Sequence, residues 1–222
     1  MIHKKMTVTI IGSTGLIGGY LLRLLEKDPD IAKIRLLVRR TGAPLPSRVE
    51  VIKTDFSDPS AYAEGIKGSD AVFCAVGTTS RKVKGDQVAY RKVDYDIPVQ
   101  AARAADESGA RQFLLVSSVG ASPSSRIFYS RLKGEVEADI RRMHIPSVSV
   151  FRPSLLLGKR EEFRLGEKFA QAFMPPVSFL VPSNFKPIHA GDVARAMVAA
   201  SKNVAPGFTV YHFREMKQLI QH

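Results

Sequence analysis

Three glycines at three-residue intervals, Gly12, Gly15 and Gly18, are the feature that most constrains how this 222-residue chain can fold. They follow a short apolar run at residues 8–11 and open a segment of helical pattern at residues 16–26. A strand, a tight glycine turn and a helix bring backbone N–H groups and the positive helix end close to an anion, which Cβ atoms would keep away. The pattern predicts a cradle for the pyrophosphate of a nucleotide, built from Gly12, Ser13, Thr14, Gly15, Leu16, Ile17 and Gly18.

The residues after the last glycine separate two classes of nucleotide site. A mononucleotide P-loop requires a lysine followed by serine or threonine at this point, and the chain has Gly19 and Tyr20 there. A kinase or ATPase is therefore disfavoured. Many dehydrogenases carry a related glycine motif between a strand and a helix, so the sequence favours a dinucleotide.

Composition and charge restrict the class of protein further. The chain is 45% hydrophobic and 24% charged, which is typical of a globular protein long enough for one sizeable domain. Its net charge of +12 comes from basic pairs spread along the chain, so we expect surface charge rather than a nucleic-acid partner. The sequence shows no secretory signal and no membrane span, from which we expect a cytoplasmic protein with no membrane partner.

Strand-like and helix-like segments alternate after the glycine turn. Further strands are predicted at residues 33–38, 49–53, 71–75, 112–116 and 147–151, and further helices at residues 59–67, 95–108 and 129–143. Strands this apolar suit a parallel sheet that is covered on both faces. The pattern predicts the α/β class, as a Rossmann-type doubly wound parallel sheet with helices on both faces.

The periodicity changes after Pro153. A proline-rich stretch at residues 174–182 separates two helix-like segments, which lie at residues 161–173 and 192–201. Irregular segments of this kind often carry substrate contacts. We expect a single domain over residues 1–222, in which residues 152–222 contribute a small substrate-side lobe.

The end of the second predicted strand indicates which dinucleotide is bound. In such folds an acidic residue at this point binds the 2′-hydroxyl of the adenosine ribose, whereas an arginine accommodates a 2′-phosphate. Here the strand ends at Val38 and is followed by Arg39 and Arg40, with no competing carboxylate. We therefore expect NADP(H) rather than NAD(H), with Arg39 on the phosphate and Arg40 stacked on the adenine.

A tyrosine and a lysine four residues apart, Tyr129 and Lys133, open the helix predicted after the strand at residues 112–116. On one helix face the lysine ammonium lies beside the phenol and favours the phenolate, which makes Tyr129 a general acid. Ser117 and Ser118 end the preceding strand, where a serine hydroxyl would hold the oxygen of a carbonyl substrate. In a reduction, the tyrosine would give its proton to that oxygen as hydride arrives from the nicotinamide.

These motifs resemble the short-chain dehydrogenase/reductase superfamily, in the atypical NAD(P)-binding branch that includes the NmrA-like proteins and the Tat-interacting-protein oxidoreductases. The resemblance spans nearly the whole chain, and the run from Phe128 to Glu137 is especially similar to the Tat-interacting branch. It implies that Tyr129 is the proton donor, that Lys133 binds the nicotinamide ribose, and that Ser118, or Ser117 in its place, polarises the substrate.

The resemblance also implies a place for each part of the cofactor. The glycine turn would hold the pyrophosphate and the two arginines the 2′-phosphate, while Asp55 and Phe56 would lie beside the adenine. The remaining positions would line the cofactor up to its nicotinamide: Ala75, Val76, Gly77, Thr78, Thr79, Ser117, Tyr129, Lys133, Arg152 and Pro153. Tyr129 follows Ser118 by only 11 positions, a shorter spacing than in most catalytic members, so we expect the insert at residues 122–126 to turn tightly.

Four other residues with reactive side chains have structural interpretations. Cys74 lies in an apolar run, which predicts a buried small hydrophobe rather than a nucleophile. Asp94 and Asp192 stand near the starts of predicted helices and are interpreted as N-caps, and His189 is interpreted as structural. The sequence contains no metal-ligand constellation, and we expect no metal.

Three functions fit these residues. The first is an NADP-dependent oxidoreductase that reduces a small carbonyl-type substrate, with Tyr129 as the general acid. The second is an NADP(H)-binding, redox-sensing regulator of NmrA-like type that acts through a protein partner without turnover. The third, a sugar-nucleotide epimerase or dehydratase, usually needs a larger substrate lobe than the roughly 70 residues after Arg152 supply. The chain is expected to act as a monomer or homodimer.

Overall fold

The computed structural model describes residues 5–41, 46–78, 83–158 and 183–221. Within these residues the chain forms a seven-stranded sheet whose neighbouring strands are all parallel. Its strands are β1 (Met6–Ile11), β2 (Ile31–Val38), β3 (Val49–Lys53), β4 (Ala71–Cys74), β5 (Gln112–Val116), β6 (Ser147–Phe151) and β9 (Gly207–Tyr211). Two short strands, β7 (Leu156–Leu157) and β8 (Ile188–His189), pair in a separate sheet.

Helices connect most of these strands. In the described part of the chain the α-helices are α1 (Leu16–Lys27), α2 (Ala61–Ile66), α3 (Gln87–Arg91), α4 (Ile97–Glu107), α5 (Phe128–Arg141), α6 (Ala190–Lys202) and α7 (Phe213–Leu219). A π-helical turn (Lys92–Asp96) joins α3 to α4, and a 3-10 turn (Ser183–Phe185) precedes β8. Among the described residues, no helix is both long enough and apolar enough to cross a membrane.

The order of the strands confirms the doubly wound prediction. Across the main sheet the order is β3-β2-β1-β4-β5-β6-β9. The direction of winding reverses between β1 and β4, so the connections leave that point toward opposite faces of the sheet. In open α/β sheets, ligands bind in the crevice outside the carboxyl ends of the strands at such a switch point. The predicted glycine turn follows β1 and therefore lies at this crevice.

Two hydrophobic clusters cover the two faces of the sheet, as the α/β prediction requires. On one face, α1 and α6 bury residues such as Leu21, Leu25 and Met197 against the strands. On the other face, α2, α4 and α5 bury residues such as Tyr62 and Ile140. Burial on both faces explains why the central strands are almost continuously apolar rather than alternating.

The region assigned to a substrate-side lobe extends the main sheet. β9 pairs with β6 along its whole length, and α6 packs against α1. Sequence analysis predicted neither β9 nor α7. It missed β9 because this edge strand begins at the exposed Gly207 and is only half-buried beyond it. The helix predicted at residues 161–173 and the proline-rich stretch after it lie outside the described residues, so the lobe stays a prediction for residues 159–182.

A close backbone contact holds the insert at residues 122–126 against α5. The N–H of Ser122 donates a hydrogen bond to the carbonyl oxygen of Ser130, at 3.0 Å. A Cβ atom at Gly134 would lie 2.1 Å from the carbonyl carbon of Ser122 and 2.3 Å from the nitrogen of Pro123. Only glycine at this helical position leaves room for the insert, which allows the tight turn that the short spacing predicts.

We expect Gly134→Ala to lower the free energy of unfolding by about 1–3 kcal/mol, because the new methyl group overlaps backbone atoms that cannot rotate away. Gly19→Ala in α1 is the matched control, since its Cβ would meet nothing closer than the Ser13 carbonyl oxygen at 3.7 Å. That change should be neutral or stabilising by about 0.4–1 kcal/mol. Urea unfolding followed by circular dichroism compares the two. Equal midpoints for the two variants would contradict the packing argument.

Candidate functional site

The glycine turn after β1 is packed so tightly that two of its glycines are obligatory. Gly12 has a φ of +92°, and a Cβ there would lie 2.7 Å from the carbonyl oxygen of Ala75, which follows β4. A Cβ at Gly18 would lie 2.0 Å from the carbonyl oxygen of Gly12. Gly15 closes the turn by donating its N–H to the same oxygen, at 2.9 Å. The turn is thereby fixed against the end of the neighbouring strand at the switch point.

The beginning of α1 has the properties of an anion site. Among the residues that the structure describes, no side chain caps its N-terminus, and its first turn contains no acidic residue. The first N–H groups of a helix have no partner within the helix and carry partial positive charge. Ser13 is nearly buried and Thr14 exposed in the turn, while Ile17 packs into the core. The backbone of this turn therefore fits the pyrophosphate that the sequence predicts.

Arg39 and Arg40 lie at the end of β2 with their side chains in solvent. Both residues are exposed. Within the described residues neither guanidinium has a hydrogen-bond or ion-pair partner, unlike Arg35 in β2, which binds Glu50. The two arginines are thus available to a phosphate at the carboxyl edge of the sheet.

Asp55 and Phe56 follow β3, where the resemblance places the adenine. The Asp55 carboxylate accepts hydrogen bonds from the hydroxyl of Ser57 at 2.7 Å and from its N–H at 2.9 Å. These bonds hold the pKa of Asp55 below its usual value. The ring of Phe56 meets Tyr62 edge-on, with the ring centroids 5.6 Å apart. The local turn thus orients both residues, and their contact with adenine stays a prediction.

The segment after β4 is held by groups from α3 and the π-helical turn. Thr78 donates its N–H to the Oδ2 atom of Asp94 at 2.7 Å, and its carbonyl oxygen accepts from the Tyr90 hydroxyl at 3.2 Å. Ala75 extends the strand pairing by donating its N–H to Ile11. Thr78, one of the residues predicted to line the cofactor, is therefore anchored. It directly follows three others of that set: Ala75, Val76 and Gly77. The fifth predicted lining residue, Thr79, lies outside the described residues.

A buried ion pair joins this segment to α5. The Nζ atom of Lys133 lies 2.9 Å from the Oδ1 atom of Asp94, and the two residues are 3% and 0% exposed. Burial alone lowers the pKa of Lys133, but the Asp94 carboxylate and the Tyr129 oxygen raise it, and the net shift is upward. Lys133 is therefore an ammonium ion at neutral pH, although almost no water reaches it.

Sequence analysis missed the role of Asp94, and its interpretation as an N-cap is wrong. The residue lies in the π-helical turn, and its carboxylate caps no helix. A signal was present: Asp94, Ile97 and Ala101 have the spacing of one helix face, and the latter two are buried. A carboxylate on a buried face requires a buried partner, because an isolated charge is too costly to remove from water.

Tyr129 lies one turn before Lys133 on the same face of α5, as predicted. The Nζ atom of Lys133 is 5.9 Å from the centroid of the Tyr129 ring. The ring of Tyr90 meets Tyr129 edge-on at a centroid distance of 6.0 Å, and meets Phe128 in the same way at 5.9 Å. The tyrosine that is proposed to move a proton is therefore held between an ammonium group and an aromatic ring.

The structure distinguishes the two serines after β5. The Ser117 hydroxyl is buried and donates to the Oε1 atom of Glu137 at 2.5 Å. Ser118 is half-buried, and within the described ranges its hydroxyl makes one long hydrogen bond, 3.3 Å, to the carbonyl oxygen of Val119. Ser118 is therefore the serine with a hydroxyl available to a substrate.

Arg152 and Pro153 follow β6 at the same edge of the sheet. The Arg152 guanidinium binds Glu137 through two nitrogens, at 3.0 and 2.5 Å, while the carbonyl oxygen of Pro153 accepts from the Val119 N–H at 2.9 Å. Both residues therefore stabilise the carboxyl end of the sheet, Arg152 through Glu137 and Pro153 through Val119. Their contact with the nicotinamide stays a prediction.

Two of the remaining structural interpretations concern Cys74 and Asp192. Cys74 is fully buried, and burial raises the pKa of its thiol to about 11, which confirms a small hydrophobe rather than a nucleophile. The interpretation of Asp192 as an N-cap is wrong, because His189 occupies the cap position of α6. Asp192 lies in the first turn and pairs with Arg195 and Lys217, so it ties α7 to α6.

A glycine turn at the switch point of a parallel sheet, joined through Asp94 to a Tyr–Lys pair, defines a Rossmann-type NAD(P)-binding protein. Residues 12–168 match a family model described as NAD(P)H-binding. The Protein FMP52, mitochondrial, of Candida albicans is 36% identical over 199 residues, covering 87% of this chain and 86% of that protein. Protein FMP52-1, mitochondrial, of Scheffersomyces stipitis is 31% identical over 227 residues, covering 96% and 98%. The chain belongs to the NAD(P)H-binding family that includes these proteins.

The names of these relatives contradict the expected cytoplasmic location, since each is called mitochondrial. The expectation was wrong because it rested on the absence of a secretory signal and of a membrane span. Neither absence distinguishes the cytosol from the interior of an organelle.

Solved structures of other proteins share the fold of this chain. The Bordetella bronchiseptica enzyme WbmH in complex with NAD+ superposes with a TM-score of 0.72 at 19% identity, covering 94% of this chain and 76% of that one. A UDP-N-acetylglucosamine 4-epimerase from Methanobrevibacter ruminantium gives a TM-score of 0.70 at 16% identity, covering 98% and 81%. Identity this low shows the shared fold and leaves the substrate open.

A double-mutant cycle on Asp94 and Lys133 tests the buried ion pair. Lys133→Met leaves the Asp94 carboxylate buried without a counter-charge, and we expect it to lower the free energy of unfolding by about 3–5 kcal/mol. Asp94→Asn keeps an oxygen for the Thr78 N–H, so the double variant leaves no unpaired charge and should recover part of this loss. Denaturant unfolding of the four proteins measures the coupling. Strict additivity of the two changes would show that the pair contributes no interaction energy.

Proposed function

We propose that this protein is an NADP(H)-dependent reductase that transfers hydride to a small carbonyl-type substrate, with Tyr129 as the proton donor. One observation carries the proposal: a continuous chain of contacts connects the glycine turn to the tyrosine. Gly12 packs on Ala75, Thr78 binds Asp94, and Asp94 binds Lys133, which lies one helical turn from Tyr129. A phosphate cradle and a candidate general acid thus belong to one connected site.

The residues present fit a nicotinamide dinucleotide. A Cβ atom at Gly12 or Gly18 would overlap the neighbouring backbone and displace the turn, and the N-terminus of α1 supplies N–H groups for the pyrophosphate. When bound, the reduced nicotinamide supplies the hydride. Arg39 and Arg40, both exposed and without partners in the described residues, would hold the 2′-phosphate and stack on the adenine.

The chain's own residues account for the proton. The Tyr129 hydroxyl donates its proton to the carbonyl oxygen of the substrate, and the Lys133 ammonium stabilises the phenolate that remains. The Ser118 hydroxyl donates a hydrogen bond to the same oxygen and holds it in place. Asp94 keeps Lys133 charged and oriented in a region without water. The names of the relatives favour a mitochondrial setting for this reaction.

Tyr129→Phe tests the general acid directly. It keeps the aromatic ring beside Tyr90 and removes the hydroxyl, so we expect NADPH oxidation to fall about 10²–10⁴-fold while the Kd for NADPH stays unchanged. The assay follows NADPH absorbance with a panel of aldehydes, ketones and quinones. Tyr20→Phe in α1 is the matched control and should retain full turnover. Tight NADPH binding without Tyr129-dependent turnover on any substrate would contradict the reductase and favour the redox-sensing regulator.

The preference for NADP(H) depends on the two arginines after β2. A charge-assisted hydrogen bond to a phosphate contributes about 1.5–3 kcal/mol, so Arg39→Ala should weaken NADPH binding roughly ten- to a hundredfold, with a smaller loss for Arg40→Ala. The Kd for NADH, which lacks the 2′-phosphate, should change little. Arg142→Ala at the far end of α5, where the side chain is 77% exposed, is the control. Equal losses for NADPH and NADH would contradict the assignment of the phosphate to this strand end.

A further inference from the structure

A second buried carboxylate lies on the catalytic face of α5. Glu137 follows Lys133 by one helical turn and Tyr129 by two, so the three residues share one face of the helix. Glu137 is only 4% exposed. The proposed reaction assigns no role to this residue.

The partners of Glu137 come from the ends of two central strands. Its Oε1 atom accepts hydrogen bonds from the Ser117 hydroxyl at 2.5 Å and from the Nε of Arg152 at 3.0 Å, and its Oε2 atom accepts from a terminal nitrogen of Arg152 at 2.5 Å. A two-point arginine–carboxylate contact fixes orientation as well as distance. The added hydroxyl constrains the carboxylate from a third direction.

These partners belong to a connected layer of backbone at the edge of the sheet. Ser117 follows β5 and donates its N–H to the carbonyl oxygen of Phe151 at 2.8 Å. Arg152 follows β6 and donates its N–H to the carbonyl oxygen of Tyr211 in β9 at 2.9 Å. Glu137 therefore links α5 to the carboxyl ends of β5 and β6, and the Arg152 N–H continues the link to β9.

Stability alone does not require an ionic group at this position. Removing a carboxylate and a guanidinium from water is costly, and well-packed apolar residues often replace a buried ion pair without loss of stability. A pair with three directed hydrogen bonds instead restricts the helix to one placement against the sheet. Catalysis depends on such placement, because a displacement of about 1 Å between reacting groups is enough to reduce the rate about a hundredfold.

We propose that Glu137 is a positioning residue: by binding Ser117 and Arg152 it fixes α5 against the ends of β5 and β6, so that the Tyr129 and Ser118 hydroxyls reach the same substrate oxygen. The inference rests on the proposed reductase function and adds the element that aligns its two proton donors. It also explains why Ser117 takes no part in substrate binding, since its hydroxyl is committed to the carboxylate.

Glu137→Gln is the central variant, and Glu135→Gln is its matched control. Glu135 lies on the same helix and also binds an arginine, but this is Arg91 of α3, at 2.7 Å, with the carboxylate side chain 32% exposed. Both changes remove one negative charge from α5 and leave one arginine without its carboxylate. Only Glu137→Gln loosens the helix from the strand ends. Ser117→Ala is a milder second variant, which removes one hydrogen bond and no charge.

Turnover and helix mobility are measured together, each well below the unfolding temperature of the variant. We expect Glu137→Gln to lower kcat at least about tenfold with the Kd for NADPH within about twofold, and Ser117→Ala to act in the same direction but less. Hydrogen exchange of the amides at residues 131–134, which donate to the preceding turn, should be about fivefold or more faster in Glu137→Gln and unchanged in Glu135→Gln. The loss caused by Ser118→Ala should shrink in the Glu137→Gln background, because the serine is then already misaligned.

The outcomes separate this inference from the proposed function. Equal behaviour of Glu137→Gln and Glu135→Gln in turnover and exchange would overturn the positioning role. If Glu137→Gln does not fold, Ser117→Ala decides by the same two measurements. If the wild-type protein shows no Tyr129-dependent turnover, the reductase proposal fails, and the exchange of residues 131–134 alone decides whether Glu137 fixes the helix.

Discussion

The buried ion pair between Asp94 and Lys133 connects segments that are distant in sequence. Asp94 comes from the π-helical turn before α4, Lys133 comes from α5, and the second oxygen of Asp94 binds Thr78 after β4. Both charges are buried, so water cannot solvate either one if its partner is missing. The three segments must therefore assemble together. The glycine turn then depends on the same assembly, because Gly12 packs on Ala75 just before Thr78.

Two buried carboxylates hold α5 in place from different sides. Asp94 fixes the helix through Lys133 on the side of the cofactor segment, and Glu137 fixes it through Ser117 and Arg152 on the side of the later strands. Tyr129 makes no ion pair of its own and takes its position from both. The helix that carries Tyr129 is therefore fixed from two sides. The Ser118 hydroxyl makes one long hydrogen bond within the described residues, and its contact with a substrate stays a prediction.

The sequence predicted the features that depend on neighbours along the chain. The glycine turn, the apolar strands and the Tyr–Lys spacing all follow from local periodicity, and β3, β5 and β6 have the predicted bounds. Asp94 and Glu137 were missed because their partners lie on other elements, and no local pattern shows which charges will meet. The edge strand β9 lacked the continuous apolar run that identified the central strands.

The pairing of β6 with β9 makes the site depend on a strand that is synthesised late. The Phe151 ring stacks on Tyr211, with the centroids 5.0 Å apart, and the N–H of Arg152 needs the Tyr211 carbonyl oxygen. During synthesis, β1 to β6 emerge long before β9, so a growing chain contains every candidate catalytic residue while the backbone beside Arg152 is still unpaired. Closing a contact of this sequence separation is a slow step for a folding chain. The backbone at the end of β6 is therefore completed only when β9 has joined the sheet.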